Sequence, residues 1–266
     1  MNNMISMKYM KIMSEEKPKY GWYVKNLILT FNIVGSFGLA AFIIGLILLG
    51  MLGAILGIIG ITLMVLFLWP GIGLAAMNII ISKEDSEVRG MDILSKIQSP
   101  RVLDIGCGTG RTAIKITKSL PKGGHLNGID IYNVNAISGN SLATVNRNAE
   151  LEGVGDKSTF QYGSATEIPF EDNKFHIVNL SSVLHEIHDY ECKERAMKEI
   201  HRVLKPKGFL FIGEWNRFSW QLILYSGIFC MVFQRRKYWD DIIRKQGFTI
   251  LNYENFGGYG LFTAQR

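Results

Sequence analysis

Glycines and a carboxylate follow two short apolar runs near the middle of this chain. The run over residues 101–105 leads into Gly106-Cys107-Gly108-Thr109-Gly110, and the run over residues 125–129 ends at Asp130. A strand that ends in a glycine turn and continues as a helix brings bare backbone and a helix amino terminus close to a ligand. A carboxylate about twenty residues beyond such a turn accepts hydrogen bonds from both hydroxyls of a ribose. The pattern predicts a nucleoside site, and its alternative is a glycine turn with a purely structural role.

A diphosphate-binding loop is a competing interpretation of these glycines. It would require the spacing G-x-G-x-x-G or a lysine directly after the glycines, and neither is found here. The segment instead resembles motif I of the class I S-adenosylmethionine-dependent methyltransferases, with the residues Leu103-Asp104-Ile105-Gly106-Cys107-Gly108-Thr109-Gly110. The resemblance extends from residue 101 to the carboxyl terminus and includes the turn Leu204-Lys205-Pro206-Lys207-Gly208. It is greatest to the ubiquinone and menaquinone type of methyltransferase.

This resemblance implies that the cofactor is S-adenosylmethionine and indicates which residues hold it. Asp104 and the glycine backbone would hold the methionine part, Asp130 the ribose, and Ile131 would cover the adenine ring. Where the family usually has Asp-Ala after the third strand, this chain has Ser164-Ala165. A hydroxyl or a backbone carbonyl would then replace the aspartate at the adenine. The full predicted set is Asp104, Gly106, Cys107, Gly108, Gly110, Asp130, Ile131, Ser164, Ala165 and Asn179.

His185 and Glu214 are the candidates for chemistry on the methyl acceptor. The resemblance implies that a Leu-His pair, here Leu184-His185, faces the methyl group, and Glu214 ends the fifth predicted strand over the same pocket. If the acceptor must lose a proton, His185 is the first candidate for the general base and Glu214 the second. The alternatives are a structural or solvated histidine and a solvated strand end. No metal is predicted, because His185 and His188 lack the zincin spacing and a third ligand.

The fourth predicted strand bears on the class of acceptor. Its end, Asn179-Leu180-Ser181-Ser182, differs from the Asn-Pro-Pro-Tyr signature of enzymes that methylate planar amides or ring amines. This difference argues against nucleic acid as the substrate. The strand begins Phe175-His176 where the family usually has Phe-Asp. Together with Ser164, this departure leaves open a catalytically silent protein that only binds the cofactor, and a methyltransferase of a membrane-protein partner is a third alternative.

Strand and helix patterns alternate after residue 101, which predicts an α/β fold with a parallel sheet and helices on both faces. The resemblance implies a Rossmann-like sheet of seven strands in the order 3-2-1-4-5-7-6, the last strand antiparallel. The predicted strands cover residues 101–105, 125–129, 159–162, 175–180, 209–213, 248–253 and 259–264. The predicted helices cover residues 112–120, 138–152, 191–204 and 238–246.

Residues 26–82 contain no Asp, Glu, Lys, Arg or His. A single membrane span needs only roughly 20 apolar residues, so this run predicts two transmembrane helices, near 27–48 and 54–72, with a turn at 50–53. Trp69 and Pro70 would mark the second exit from the bilayer. A re-entrant hairpin is an alternative. A signal peptide is disfavoured, because the charged leader is long and no small-residue cleavage site follows a short apolar core.

The net charge of +6 is concentrated before residue 26 and between residues 217 and 245. Such local clusters suit an anionic membrane surface better than a nucleic-acid groove, which would need a basic stripe on the domain. Basic residues flank both ends of the apolar run, so the amino terminus and the catalytic domain are predicted to be cytoplasmic. The three widely spaced cysteines fit a reducing compartment and indicate neither a disulfide framework nor a zinc site.

The predicted organisation is a basic leader (1–25), a transmembrane hairpin (26–82), a connecting helix (83–100) and a methyltransferase domain (101–266). Within the domain, residues 218–234 are largely apolar and bracketed by basic residues, and the segment is too short to span a bilayer. It is predicted to be an interfacial helix or a lid over a hydrophobic substrate, with a buried helix as the alternative. These elements favour a lipid-soluble acceptor: a quinone precursor, a phospholipid amine, an isoprenoid, or a small hydrophobic thiol or phenol. The oligomeric state is not predicted.

Overall fold

The computed structural model describes residues 16–48, 50–83 and 91–266 of the chain. Its centre is a seven-stranded sheet in the order β3-β2-β1-β4-β5-β7-β6, in which β1 to β5 are parallel and β7 is antiparallel to both of its neighbours. The predicted strand order and the reversed last strand are therefore confirmed. The strands are β1 (Arg101–Ile105), β2 (His125–Asp130), β3 (Ser158–Tyr162), β4 (Phe175–Ser181), β5 (Leu204–Trp215), β6 (Thr249–Phe256) and β7 (Tyr259–Gln265).

Helices cover both faces of this sheet, because its central strands carry apolar side chains on both sides. The core on one face is built by α4 (Arg111–Lys118) and α5 (Leu142–Leu151) packed on Val102 and Ile177. The core on the other face is built by α6 (Tyr190–Val203) and α8 (Arg236–Lys245) packed on Leu103 and Val178. Alternate residues of β1 and β4 thus serve opposite cores, as the two-residue period of a strand requires.

The helix after β2 begins later than the sequence pattern predicts. We predicted a start at residue 138, but α5 begins at Leu142, after Ser141 caps it by accepting a hydrogen bond from the Thr144 amide at 3.1 Å. Residues 136–138 are instead paired with the chain that precedes the hairpin, through Val24 N–H to the Ala136 carbonyl at 2.9 Å. Pairing between segments more than a hundred residues apart has no local signature in the sequence.

Two long helices precede the sheet. The first is α1 (Lys25–Ile47), and the second runs from α2 (Met51–Leu63) through a π-helical turn (Met64–Leu68) into α3 (Trp69–Lys83). The second helix continues past residue 72, where we predicted the second span to end, and reaches Lys83. Pro70 does not end the helix, because the π turn, with the Trp69 amide bonded to the Met64 carbonyl, absorbs the irregularity that a proline introduces.

Glycines bring these two helices close together. A Cβ on Gly60 would lie 2.5 Å from the Phe42 amide nitrogen, and a Cβ on Gly45 would lie 2.6 Å from that of Gly57. Side chains larger than hydrogen would therefore push the helices apart. Only 22% of the apolar window in α1 and 11% of that in the second helix are buried, although both are long and apolar enough to cross a membrane. A core helix of a soluble protein would be mostly buried.

We predicted one connecting helix over residues 83–100, between the hairpin and the sheet. The described part of this segment is not a single helix. Residues 91–96 form a 3-10 helix, and residues 97–100 are not helical. Ser99 has a φ of 49°, a left-handed value that is incompatible with a helix continuing to Pro100. Part of this prediction, residues 84–90, lies outside the described residues, as do residues 1–15 of the predicted leader.

The apolar segment near the carboxyl end folds as α7 (Trp220–Ser226) followed by a 3-10 helix (Gly227–Val232). It packs against the hairpin rather than standing apart from it. The indole N–H of Trp69 donates to the Leu224 carbonyl at 2.8 Å, and the rings of Phe31 and Phe229 lie 4.7 Å apart. One face is thus covered by the hairpin, while large apolar side chains on the other stay exposed, including Trp220 at 69% and Val232 at 68%.

Candidate active site

The glycine loop between β1 and α4 is held against the end of β2. The amides of Gly106 and Cys107 both donate to the Ile129 carbonyl, at 2.7 and 3.1 Å. Gly106, Gly108 and Gly110 have φ values of 70°, 55° and 91°, which side chains other than hydrogen rarely allow. The loop therefore exposes backbone at the carboxyl edge of the sheet, where ligands of such folds bind.

Asp104 lies beneath this loop and is 2% exposed. One carboxylate oxygen accepts a hydrogen bond from the Asn179 side-chain amide at 2.6 Å, so β1 and β4 bring together two of the predicted cofactor residues. Among the described residues, the other oxygen, Oδ2, has no hydrogen-bond partner. Burial, opposed by the Asn179 hydrogen bond and supported by the nearby Asp130 charge, raises the pKa of Asp104 to about 7. A buried acceptor in this state suits a ligand that brings a positive charge or a donor.

Asp130 ends β2 and faces the same loop. Its Oδ2 accepts from the Gly108 amide at 2.8 Å, and its Oδ1 accepts from the Tyr132 amide at 2.5 Å and from the Asn140 side chain at 3.4 Å. A carboxylate has about four lone-pair positions, so the two donors fill those of Oδ1, and Oδ2 can accept one more hydrogen bond. The carboxylate is therefore fixed in place and still able to accept from a hydroxyl.

The residues predicted at the adenine lie around the ends of β2 and β3. Ile131 is 55% exposed directly after Asp130, as a side chain that covers a ring would be before the ring binds. The Ser164 hydroxyl lies 2.8 Å from the Thr166 hydroxyl and accepts from the Thr166 amide at 3.2 Å. Ala165 packs against the core. The Ser164 side chain is thus engaged in its own turn.

Glu214 is completely buried at the end of β5 and is not a solvated strand end. Its Oε1 accepts from the backbone amides of Val183 and Leu184, at 3.1 and 2.7 Å. The chain reaches this position because Ser182 takes a φ of 59° directly after β4 and donates its amide to the Gly213 carbonyl at 2.8 Å. Strain of this kind persists only where the surrounding contacts determine it.

His185 joins Glu214 in a hydrogen-bonded pair. Its Nδ1 lies 2.7 Å from Glu214 Oε2, and its Nε2 lies 3.3 Å from the more exposed Glu186 carboxylate. Burial lowers the pKa of His185, but hydrogen bonds to Glu186 and Glu214 outweigh it and raise the pKa to about 9. The imidazole is therefore protonated at neutral pH. Phe233 packs edge-on against its ring at a centroid distance of 5.1 Å.

The other two histidines of interest lie apart from this pair. His176 is at the opposite end of β4, where Nδ1 accepts from the Arg101 amide at 3.0 Å and Nε2 lies 2.9 Å from the Lys205 ammonium. The replacement of the family's usual aspartate by His176 therefore lies at the amino edge of the sheet, away from the predicted cofactor residues at the carboxyl edge. His188 is exposed. Within the described ranges, no group of three or more His, Cys, Asp or Glu side chains is arranged to hold a metal ion.

A part of the site that sequence reasoning missed is the segment directly before α1, which we call the leader strap (residues 19–24). It lies across the glycine loop: the Thr109 hydroxyl donates to the Tyr20 carbonyl at 2.8 Å, and Arg111 Nη2 donates to the Gly21 carbonyl at 3.2 Å. The Arg111 guanidinium also lies 5.4 and 5.8 Å from the ring centroids of Tyr20 and Tyr23. These two tyrosines among the leader lysines were the available signal.

The structure thus brings the predicted residues together in two groups along one edge of the sheet. Asp104, the glycine loop, Asp130 and Asn179 form the first group, and His185 with Glu214 forms the second. Val183 links the two, because a Cβ on Gly106 would lie 2.3 Å from its side chain. The arrangement can bind a nucleoside with an attached cation next to a protonated imidazole.

Comparison with known proteins identifies the domain. Residues 102–208 match the family model described as a methyltransferase domain. A demethylmenaquinone methyltransferase from Staphylococcus aureus is 34% identical over 137 residues, which cover 50% of this chain and 52% of that protein. The chain spans about half the length, or less, of the curated relatives it matches.

Solved structures agree with the observed fold. A S-adenosylmethionine-dependent methyltransferase from Aquifex aeolicus matches with a TM-score of 0.56 and 17% identity, over 71% of this chain and 96% of that one. A second one, from Methanosarcina mazei, matches with a TM-score of 0.54 and 22% identity, over 68% and 99%. At these identities the likeness concerns the fold alone. With the family match, it confirms the predicted class I methyltransferase domain.

Proposed function

We propose that this protein, a class I S-adenosylmethionine-dependent methyltransferase by its domain at residues 102–208, is anchored in a membrane and methylates a hydrophobic, lipid-soluble small molecule. The observation that carries the proposal is the attachment of the acceptor side of the site to the apolar hairpin. Phe233, which packs on His185, directly follows the segment 220–232 that is bonded to Trp69 of the second long helix. The name of the Staphylococcus aureus relative supports a quinone-type acceptor.

The cofactor would be held by the first group of residues. Asp104 Oδ2, which is buried with no partner among the described residues, fits the ammonium of the methionine part. Asp130 would accept from a ribose hydroxyl at the free position of Oδ2, the Gly106–Gly110 backbone would pass beneath the ligand, and Ile131 would cover the adenine. When bound, the cofactor supplies an electrophilic methyl group on sulfur, so the protein has mainly to align the acceptor and exclude water.

The second group would position the acceptor. We predicted His185 as a general base, but with a pKa of about 9 it carries a proton at neutral pH and is better suited to donate one in a hydrogen bond. An ionised phenol or enol would be held by this imidazolium, with Glu214 keeping the ring oriented through Nδ1. A hydrogen bond from the imidazolium would replace water at the anionic oxygen and keep the oxygen aligned with the methyl group, which favours its attack.

The hairpin would place this site at the bilayer. Its two helices are long enough to span and leave most of their apolar surface uncovered. We infer that the leader and the catalytic domain both lie on the cytoplasmic side, because basic residues flank the apolar run at both ends. A membrane-impermeant reagent applied to sealed inverted vesicles should then modify lysines of the domain, and right-side-out vesicles should protect them.

One experiment tests the activity. Membranes that contain the protein or its Asp104→Ala variant are supplied with methyl-labelled S-adenosylmethionine and then extracted with organic solvent. We expect label in the organic phase with the unchanged protein only. Label that precipitates with protein would point to a methyltransferase of a membrane-protein partner. Cofactor binding without any transfer would point to a catalytically silent protein, and either result would refute the proposal.

A further inference from the structure

An apolar groove of about 360 Å³ lies between the second long helix and the segment 220–232. One wall is made by Val65, Leu66 and Trp69, and the other by residues that include Ile228 and Met231. Small-molecule sites have volumes of roughly 300–1,000 Å³, so the groove is large enough for part of a ligand. Its lining contains no charged side chain.

The groove is continuous with surface that faces hydrocarbon if the hairpin spans a bilayer. Val65 is 49% exposed, and on the same helix Ile61, one turn before it, and Ile72, about two turns after it, are 49% and 57% exposed. On the opposite wall, Ile228 and Met231 are 58% and 48% exposed. A chain lying in the bilayer can therefore enter the groove sideways without crossing water.

The segment that lines the groove continues along the chain to Phe233, which packs on His185. Cys230, which lines the groove, accepts a hydrogen bond from the Phe233 amide at 3.3 Å. The Phe233 ring packs on His185. The backbone carbonyl of Phe233 accepts a hydrogen bond from Arg217 Nε at 2.5 Å, which holds the end of the segment in place. Only Val232 thus lies between the lining residue Met231 and Phe233, which packs on the imidazole.

We propose that this groove binds the tail of the methyl acceptor, a single long apolar chain, while the reactive head lies at His185. The inference rests on the proposed function, because it takes the bound chain to be part of the substrate. It specifies an acceptor in which a flexible apolar chain is attached to a small head.

The test uses a naphthoquinol that carries a photoreactive diazirine at the end of a farnesyl chain, with the full-length protein in nanodiscs. We expect crosslinks to concentrate at Val65, Leu66, Ile228 and Met231. They should be displaced by unlabelled farnesyl naphthoquinol and not by the head group alone. A phosphatidylcholine with the same photoreactive group should label the exposed hairpin evenly.

Matched variants test whether the groove is responsible for the specific crosslinking of the quinol probe. Ile228→Trp fills it and should reduce the specific crosslinking by about tenfold or more, because the chain then loses the burial of several methylene groups. Ile228→Ala enlarges it and should retain the crosslinking. Ile58→Trp, on the exposed surface of the hairpin outside the groove, is the control. Cofactor binding should be unchanged in all three, which shows that they fold.

Even labelling of the hairpin by the quinol probe, equal displacement by phosphatidylcholine, or full labelling of Ile228→Trp would overturn the inference. These outcomes are separate from those that bear on the proposed function. A failure to transfer methyl groups to any lipid refutes the activity, whereas the crosslinking result tests the groove without requiring turnover.

Discussion

The side-chain amide of Asn78, on α3, holds the backbone of Tyr23 on both sides. Its Oδ1 accepts from the Tyr23 amide at 2.8 Å, and its Nδ2 donates to the Tyr23 carbonyl at 3.3 Å. Asn78 is only 3% exposed, and Tyr23 lies against Arg111 beside the glycine loop. The hairpin therefore sets the position of the leader strap over the proposed cofactor site.

Replacing Asn78 by alanine should weaken cofactor binding. The change leaves the Tyr23 backbone groups without their buried partner, which costs about 1–3 kcal/mol and loosens the strap. We expect the Kd for S-adenosylmethionine, measured by calorimetry, to rise about tenfold. Asn32→Ala is the matched control, because the Asn32 amide bonds the Ile28 carbonyl of its own helix. Equal effects of the two changes would contradict a role for the strap.

Cofactor affinity should depend on pH through Asp104. Its pKa of about 7 means that binding a cationic group requires the loss of a proton below that pH. We expect the Kd to rise by up to about tenfold per pH unit below pH 7 and to be flat above it. Asp104→Asn should bind weakly with no such dependence. A Kd of the unchanged protein that does not vary between about pH 5 and 7 would exclude this role.

The same group should affect the stability of the free protein with the opposite sign. Its folded-state pKa lies above the unfolded value of 3.8, so the folded state binds the proton more tightly. The free energy of unfolding should fall as pH rises from the unfolded pKa to about 7 and then level off as far as this group is concerned. Denaturant titrations of the protein and of Asp104→Asn over this range would isolate the contribution as their difference.

The His185–Glu214 pair predicts the pH profile of activity. If the imidazolium holds an anionic acceptor, kcat/KM should fall as pH rises through about 9, where His185 loses its proton. Glu214→Gln removes one of the two carboxylates that raise this pKa, so the fall should move to lower pH. A rate that instead increases through pH 9 would show that His185 acts as the base.

Gly60 and Gly57 form a matched pair for testing the hairpin. Alanine at 60 would place a methyl group 2.5 Å from the Phe42 backbone nitrogen, while alanine at 57 meets no atom within 4 Å. We expect Gly60→Ala to destabilise the protein by about 1–3 kcal/mol, because it overpacks the contact between the helices. Gly57→Ala should be neutral or slightly stabilising. Thermal unfolding in detergent measures both, and equal unfolding temperatures would refute the packing seen here.

Ser164→Asp should strengthen cofactor binding. It restores the acidic residue that the family usually has at the adenine, and a hydrogen bond to a charged group contributes about 1.5–3 kcal/mol. The new side chain can also accept from the Thr166 amide, as Ser164 does. We expect a roughly tenfold lower Kd, with Ser164→Ala close to the unchanged protein. No gain in affinity would place the adenine elsewhere.

The elements that depend on local patterns were predictable from the chain. The apolar runs, the glycines and the carboxylates at 104 and 130 predicted β1, its turn and β2, because strand and turn preferences act over a few neighbouring residues. The order of the strands in the sheet was implied only by the family resemblance. The absence of charge over residues 26–82 likewise predicted two long helices. It did not predict the π turn that carries the second helix past Pro70, since that depends on how the helix accommodates a missing amide.

Only the tertiary structure decided the contacts between segments that lie far apart in the chain. Asn78 meets Tyr23 across 55 residues, and Glu214 meets His185 across 29. The first holds the leader strap in position beside the glycine loop, and the second contributes to the raised pKa of His185. Both follow from packing, which places side chains by the fit of whole elements against one another. A pKa or a buried hydrogen bond takes its value from those neighbours, and the neighbours are known only once the chain has folded.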